Sequence, residues 1–99
     1  MARTPEGKFQ DKLRKEVEEM FPGSMTFKTD PLDRQGIPDI FIVYNNKWAV
    51  LEGKKDKDAP LRPNQQYYID KMGEMSFARV IYPENKQEVL RDLQQAFRT

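Results

Sequence analysis

The stretch "GIPDIFIVYNNKWAVLEGKK", residues 36–55, contains two strongly apolar runs that are joined by Asn45 and Asn46. Both runs are rich in β-branched and aromatic residues, which predicts one strand over residues 39–44 and another over residues 47–52. Asn tolerates a positive φ, so the asparagine pair favours a two-residue hairpin turn. Asp39 opens the first strand and Glu52 closes the second. The hairpin therefore carries carboxylates beside its most apolar segments, where charged groups are unfavourable unless they have a partner or a function.

A two-residue turn also determines which residues of the hairpin lie opposite each other. The predicted pairs are Tyr44 with Lys47, Val43 with Trp48, Phe41 with Val50, and Asp39 with Glu52. Opposed carboxylates have Cβ atoms about 4.5–5.5 Å apart and repel each other unless a cation or a shared proton lies between them. Lys54 projects from the same face, two residues beyond Glu52. The register predicts a charged cluster at the end of an apolar face, on which Trp48 is expected to be a core residue.

Each member of this charged cluster also has a purely structural interpretation. The dipeptide at Pro38 and Asp39 is common in turns, and an acid and a lysine two residues apart on a strand usually form a solvated face. A bulged or longer turn would separate the two acids. The register nevertheless brings them together without any assumption about function.

Composition limits the chemistry that this cluster could perform. The chain has 99 residues, 37% hydrophobic and 33% charged, with a formal net charge of +1. Such a chain predicts one domain over residues 1–99, and any nucleic-acid surface on it must be a local patch. The absence of Cys and His excludes disulfides, thiol nucleophiles, Cys/His zinc sites and histidine-based catalysis. Carboxylates, lysines and amides remain, and this set suits a hard cation such as Mg²⁺.

The sequence contains no pattern typical of membrane insertion or secretion. No apolar run approaches the roughly 18 residues of a membrane span, and the opening residues MARTPEGKFQ lack the apolar stretch of a secretory signal. We therefore expect a cytoplasmic protein with no membrane partner.

Hydrophobic periodicity predicts the element order α-β-β-β-α-β-α. The first helix starts at Thr4-Pro5 and the first strand covers residues 25–28, ahead of the hairpin. After the charged loop GKKDKDAPLRP come a second helix, the strand FARVIY and a last helix. The fourth strand should run parallel to the third through a right-handed crossover, with helices on both faces of a mixed sheet. The residues that mark the three helices are Phe9, Leu13, Val17 and Met20; Tyr68, Ile69 and Met72; and Val89, Leu90, Leu93 and Phe97.

The residues GIPD followed by LEGKK, inside this order of elements, resemble the PD-(D/E)XK nuclease superfamily. The longer pattern GIPDIFIV, KWAVLEGKK and LRPNQQYYIDKM is more specifically similar to the small stand-alone viral replication and repair nucleases, the VRR-NUC group, over nearly the whole chain. The resemblance implies an α/β fold with a mixed sheet and a restriction-endonuclease-like core. It also implies a protein of a bacterial or phage-infected cell.

The resemblance assigns roles to the charged cluster. Asp39 and Glu52 would be the metal-binding acids, with the backbone carbonyl of Gly53 as a further ligand for Mg²⁺ or Mn²⁺. Lys54 would be the catalytic lysine, and Gln65 the glutamine at the start of the helix that follows the motif. Gly53 departs from the apolar residue that is common at this place, although any residue supplies a backbone carbonyl.

A fourth contribution to the site is expected from the first helix. The family usually carries a glutamate there, and both Glu6 and Gln10 are candidates for its place, because both share a helical stripe with Leu13. Glu6 is favoured, since a carboxylate is the better ligand for a hard cation.

The implied function is a metal-dependent, structure-selective DNA endonuclease that resolves four-way junctions. The alternatives are a nuclease for flaps or other branched DNA, and a catalytically silent nucleic-acid-binding module on the same fold. The candidate phosphate contacts are basic residues that are also typical of any soluble surface: Lys28, Arg34, Lys55, Lys57 and Arg62.

A homodimer is expected, because its two-fold symmetry would match the two cuts that a four-way junction needs. The sequence also has more Met and aromatic residues than one small core requires, and such residues are typical of interface centres. The candidates are Met20, Phe21, Met25, Tyr67, Met72, Met75 and Phe77.

Overall fold

The computed structural model describes residues 4–98, and its three helices and four strands follow the predicted order. The bounds are α1 Pro5–Met20, β1 Met25–Lys28, β2 Ile40–Tyr44, β3 Lys47–Gly53, α2 Pro63–Gly73, β4 Phe77–Ile81 and α3 Lys86–Arg98. None of the helices in this part of the chain is both long enough and apolar enough to span a bilayer.

The first helix begins and ends where its sequence predicts. The Thr4 side chain accepts a hydrogen bond from the Gly7 N–H at 3.0 Å, and Pro5 occupies the first helical position, where no N–H is needed. After Phe21, Pro22 and Gly23 turn the chain, with Gly23 at a φ of 93°. The helix is thereby aimed so that its apolar stripe lies on the sheet.

The sheet has the strand order β1-β2-β3-β4, with antiparallel pairs β1/β2 and β2/β3 and a parallel pair β3/β4. The hairpin turn is the predicted one, and Asn45 has a φ of 56°. The register is also as predicted, since Tyr44 pairs with Lys47, Val43 with Trp48 and Phe41 with Val50. The mixed sheet and the crossover through α2 confirm the predicted fold class.

The main core lies between one face of the sheet and the helices α1 and α3. The Phe21 ring lies 5.2 Å from the ring of Tyr44 and 5.1 Å from that of Phe97, measured between centroids, so the two helices meet over the end of β2. The expectation that Phe21 belongs to an interface is wrong, because Phe21 is buried in this core, whereas Met20 and Phe77 pack against the core, stay partly exposed and remain predicted interface residues. The buried core residues are Leu13, Val17, Phe21, Ile40, Ile42, Ala49, Leu51, Ile81, Val89, Leu90, Leu93 and Phe97.

Helices lie on both faces of the sheet, as predicted, but α2 covers the opposite face only in part. Helix α2 packs on β4, where a Cβ on Gly73 would contact the Ala78 side chain. The β1/β2 half of this face stays open, since Met25 is 57% exposed and Phe27 is 43% exposed. Trp48 stacks on Phe41 at a centroid distance of 5.9 Å and is half-buried, so it is not the core residue expected from its register.

Candidate active site

The charged cluster lies where β2 begins and β3 ends. Asp39 directly precedes β2, and its Oδ2 accepts a hydrogen bond from the N–H of Gly53, the last residue of β3, at 3.2 Å. Beyond the last backbone pair of β2 and β3, the side chain of Asp39 therefore continues the hydrogen bonding between the two strands. The carboxyl groups of Asp39 and Glu52 interact with each other, as the register predicts.

Helix α2 contributes from the open side of the sheet. Glu52 is 2% exposed, and its Oε2 accepts a hydrogen bond from the Gln65 side-chain amide at 3.4 Å. Lys54 places its Nζ 3.7 Å from the same oxygen and donates to Oε1 of Gln65 at 3.2 Å. Gln65 also accepts the N–H of Arg62 at 2.9 Å, which closes the first turn of α2. Glu52, Lys54 and Gln65 therefore form one network.

Helix α1 contributes from the core side. Gln10 is 4% exposed, and its Nε2 donates to Oδ2 of Asp39 at 2.6 Å and to the carbonyl oxygen of Gly53 at 3.5 Å. Its Oε1 accepts a hydrogen bond from Nζ of Lys28 at 2.8 Å. The amide of Gln10 therefore joins the start of β2, the end of β3 and the end of β1.

The electrostatics of the two acids favour the uncharged form. Burial raises the pKa of Glu52 to about 8, and the neighbouring carboxylate of Asp39 adds to the rise. Burial also raises the pKa of Asp39, against the hydrogen bonds and lysine charges that stabilise its anion. Near neutral pH the pair therefore holds a proton that a cation could replace.

The donor set fits a hard divalent cation. One oxygen of Glu52, Oε1, is buried without a hydrogen-bond partner among the described residues, while Oε2 is held by Lys54 and Gln65. Carboxylate and carbonyl oxygens are the ligands that Mg²⁺ and Mn²⁺ prefer. Among the described residues, no three acidic, His or Cys side chains are close enough together to hold a metal ion, so the cation would rely on two carboxylates and the carbonyl of Gly53.

The expectation for the first helix has a different outcome from the one favoured. Gln10, not Glu6, makes the direct contacts with Asp39 and Gly53. Glu6 is near enough for its charge to contribute to the raised pKa of Glu52, and its role as a ligand stays a prediction. The helical stripe that Gln10 shares with the buried Leu13 and Val17 made it a candidate in the sequence, but Glu6 lies on the same stripe, so periodicity alone could not choose between them.

The candidate DNA contacts lie at different distances from this network. Lys28 is tied to Gln10, a contact that sequence reasoning missed, and Arg34 donates to the hydroxyl of Tyr68 at 3.2 Å. Lys55, Lys57 and Arg62 are exposed and follow β3 or precede α2. Their role in DNA binding stays a prediction.

Comparison with known proteins finds a similarity in structure. No family model and no curated protein matches the chain. A solved structure described as a VRR_NUC domain is similar at a TM-score of 0.69 and 25% sequence identity, over 93% of this chain and 97% of the other. The chain thus resembles a VRR-NUC domain in its structure as well as in its sequence motifs. This similarity supports a nuclease-type function and confirms the resemblance seen in the GIPD and LEGKK segments.

The buried acids make the stability of the protein depend on pH. Glu52 titrates near 4.5 without its folded environment and at about 8 within it, so the folded protein binds one more proton than the unfolded chain between these pH values. The free energy of unfolding therefore falls as the pH rises through this window, by up to about 1.4 kcal/mol per pH unit. Stability gained from the proton on Glu52 is fully present below about pH 4.5.

We expect Glu52→Gln to weaken this pH dependence and to make the metal-free protein more stable than the wild type near pH 8. Urea denaturation in the presence of a chelator, between about pH 5 and pH 8, measures both effects. Glu19→Gln is the matched control, because Glu19 is exposed on α1. Identical pH slopes for Glu52→Gln and the wild type would contradict a protonated, buried Glu52.

Proposed function

We propose that the protein is a Mg²⁺- or Mn²⁺-dependent DNA endonuclease that acts on branched DNA, with four-way junctions as the preferred substrate. The observation that carries this proposal is the pair of buried carboxyl groups, Asp39 and Glu52, with an unpartnered oxygen on Glu52 and a lysine beside it. A purely structural cluster would gain nothing from burying two acids together, because their mutual repulsion lowers stability. A cation-binding site explains why the protein tolerates this loss of stability.

Each residue of the cluster has a role in this proposal. Asp39, Glu52 and the carbonyl of Gly53 would hold the cation. When bound, the cation supplies a Lewis acid for the scissile phosphate and lowers the pKa of a water molecule near it. Lys54 stabilises the negative charge that develops on the phosphate, and Gln65 orients both Lys54 and Glu52 through its amide.

Phosphate recognition is proposed for the basic residues around the site. Arg34 is exposed beside Tyr68, and Arg62 and Lys55 flank the loop between β3 and α2. A net charge of only +1 means that these local groups, rather than the field of the whole protein, attract DNA. Lys28 and Lys57 extend this basic set.

Glu52→Gln should reduce cleavage of labelled four-way junctions by at least about 100-fold, because the neutral amide weakens cation binding. The assay compares junction, flap and linear duplex substrates with Mg²⁺, with Mn²⁺ and with excess chelator, and Glu19→Gln is the control. Wild-type protein that binds DNA but never cleaves it in any metal would instead identify a catalytically silent binding module. Preferred cleavage of flaps would support the nuclease activity but contradict the preference for four-way junctions.

Lys54→Ala and Lys55→Ala form a second, matched pair of variants. Lys54 is buried beside Glu52, whereas Lys55 is exposed. We expect Lys54→Ala to lower the single-turnover cleavage rate by about 10²–10³-fold with little loss of DNA affinity, because its charge acts in the transition state. Lys55→Ala should weaken DNA binding and leave the rate for bound DNA unchanged. Equal loss of affinity in both variants would make Lys54 an ordinary phosphate contact.

The homodimer is part of the proposal, and the open sheet face supports it. This face consists of Met25, Phe27, Phe41, Val43, Trp48 and Met72. Met25 pairs with Val43 and Phe27 with Phe41, so the four side chains share one side of the sheet. Contiguous Met and aromatic surface of this kind is typical of interface centres. A molecule of 33 × 29 × 25 Å with one cluster of acids would need a second copy to cut two strands of a junction.

Phe27→Glu should convert a dimer into a monomer, because it places a charge in the middle of the open sheet face. Sedimentation at micromolar concentration should show a species of twice 11.7 kDa for the wild type and of 11.7 kDa for the variant. Leu32→Glu is the control, since Leu32 is 94% exposed on a loop outside this face. A monomeric wild type, with and without junction DNA, would reject the dimer and the paired cuts but not the nuclease.

A further inference from the structure

Gly53 is glycine because of the space beside it. It closes β3 and its φ is not in the left-handed region, so backbone conformation does not demand glycine. A Cβ at this position would lie 2.9 Å from Cγ of Gln10 and 3.4 Å from its Nε2. The former distance is shorter than real contacts between such atoms. The Gln10 side chain can therefore occupy its place only while residue 53 has no side chain.

The Gln10 amide that fills this space has a defined polarity. Lys28 can only donate hydrogen bonds, so the amide oxygen of Gln10 must face it. The NH₂ group then points to Oδ2 of Asp39 at 2.6 Å and to the carbonyl oxygen of Gly53 at 3.5 Å. Lys28 thus determines which end of the amide meets the acids. A reversed amide would place its oxygen against the carboxylate of Asp39.

We propose that Gly53, Gln10 and Lys28 form a positioning unit that sets the separation of Asp39 from the Gly53 carbonyl and thereby tunes the affinity for the divalent cation. This inference rests on the proposed function. The two acceptors that one NH₂ group holds together are the two that the cation would share. Supporting hydrogen bonds of this kind typically change metal affinity about 10–100-fold, because they reduce the reorganisation that binding requires.

The contacts favour a role in positioning over a role in stability alone. Gln10 makes three polar contacts, and each of them ends on Asp39, Gly53 or Lys28. Oδ2 of Asp39 receives both Gln10 and the Gly53 N–H, which holds the carboxyl group in one orientation. The unit therefore links the precise placement of the ligands to a residue of α1.

The test measures Mn²⁺ affinity by calorimetry on DNA-free protein, for Gly53→Ala, Gln10→Ala and the double variant. Each single variant should bind Mn²⁺ about tenfold or more weakly than the wild type. The double variant should be no weaker than either, because both changes remove the same contact. Gly73→Ala is the control, since a Cβ there meets only the Ala78 side chain at 3.9 Å. Gln10→Ala introduces no clash, so it tests the inference even where Gly53→Ala fails to fold.

Lys28→Met tests the polarity of the amide. It should lower Mn²⁺ affinity several-fold, and Lys28→Arg, which keeps a donor, should restore it. DNA affinity in excess chelator should stay unchanged in Gln10→Ala, which separates positioning from phosphate binding. Wild-type Mn²⁺ affinity in Gln10→Ala, or additive losses in the double variant, would overturn the inference while the nuclease stands. A wild-type protein that binds no Mn²⁺ and cleaves no DNA would overturn the proposed function itself.

Discussion

The repulsion between two buried carboxyl groups is the constraint on which the rest of this structure depends. The hairpin register brings Asp39 and Glu52 together at the end of an apolar sheet, where water is too scarce to screen them. Different polar groups hold each of the two carboxyl groups in place. Gln10 and the Gly53 N–H hold Asp39 from the α1 side, whereas Gln65 and Lys54 hold Glu52 from the α2 side. One oxygen of Glu52 remains for a ligand.

The two faces of the sheet reflect this arrangement. Alternate residues at the end of β3 point to opposite sides, so Gly53 faces α1 while Glu52 and Lys54 face α2. The site therefore lies at the ends of the central strands β2 and β3 and takes side chains from the helices on both faces of the sheet. The same alternation leaves Phe41 and Val43 on the side that α2 covers only in part, and an open apolar face lies next to the acids.

The parts of the fold that were predictable from sequence depend on contacts between near neighbours in the chain. The turn at Asn45, the register of the hairpin and the start of α1 at Thr4 follow from local rules, and with them the approach of Asp39 to Glu52. Choosing between Glu6 and Gln10 was beyond such rules, because the two residues share a helical stripe and differ only in how α1 sits on the sheet. The burial of Phe21 depends on Phe97 from the other end of the chain. Trp48 is half-exposed because α2 does not extend fully over it. Periodicity in the sequence does not reveal how far α2 extends over the sheet, so the burial of Trp48 was predicted wrongly.

The hairpin and its two supporting helices also differ in how soon they can form during folding. The pairing of β2 with β3 closes a two-residue loop, whereas α1 and α3 meet through contacts such as Lys86 with Glu16, 70 positions apart in sequence. Loop-closure entropy makes the hairpin the earlier event. Asp39 and Glu52 therefore first approach each other in water, where their repulsion is weak. They lose that water only when the helices dock on the sheet. The electrostatic repulsion therefore opposes a late step of folding, and this step is slowest in alkaline solution, where both carboxyl groups are charged.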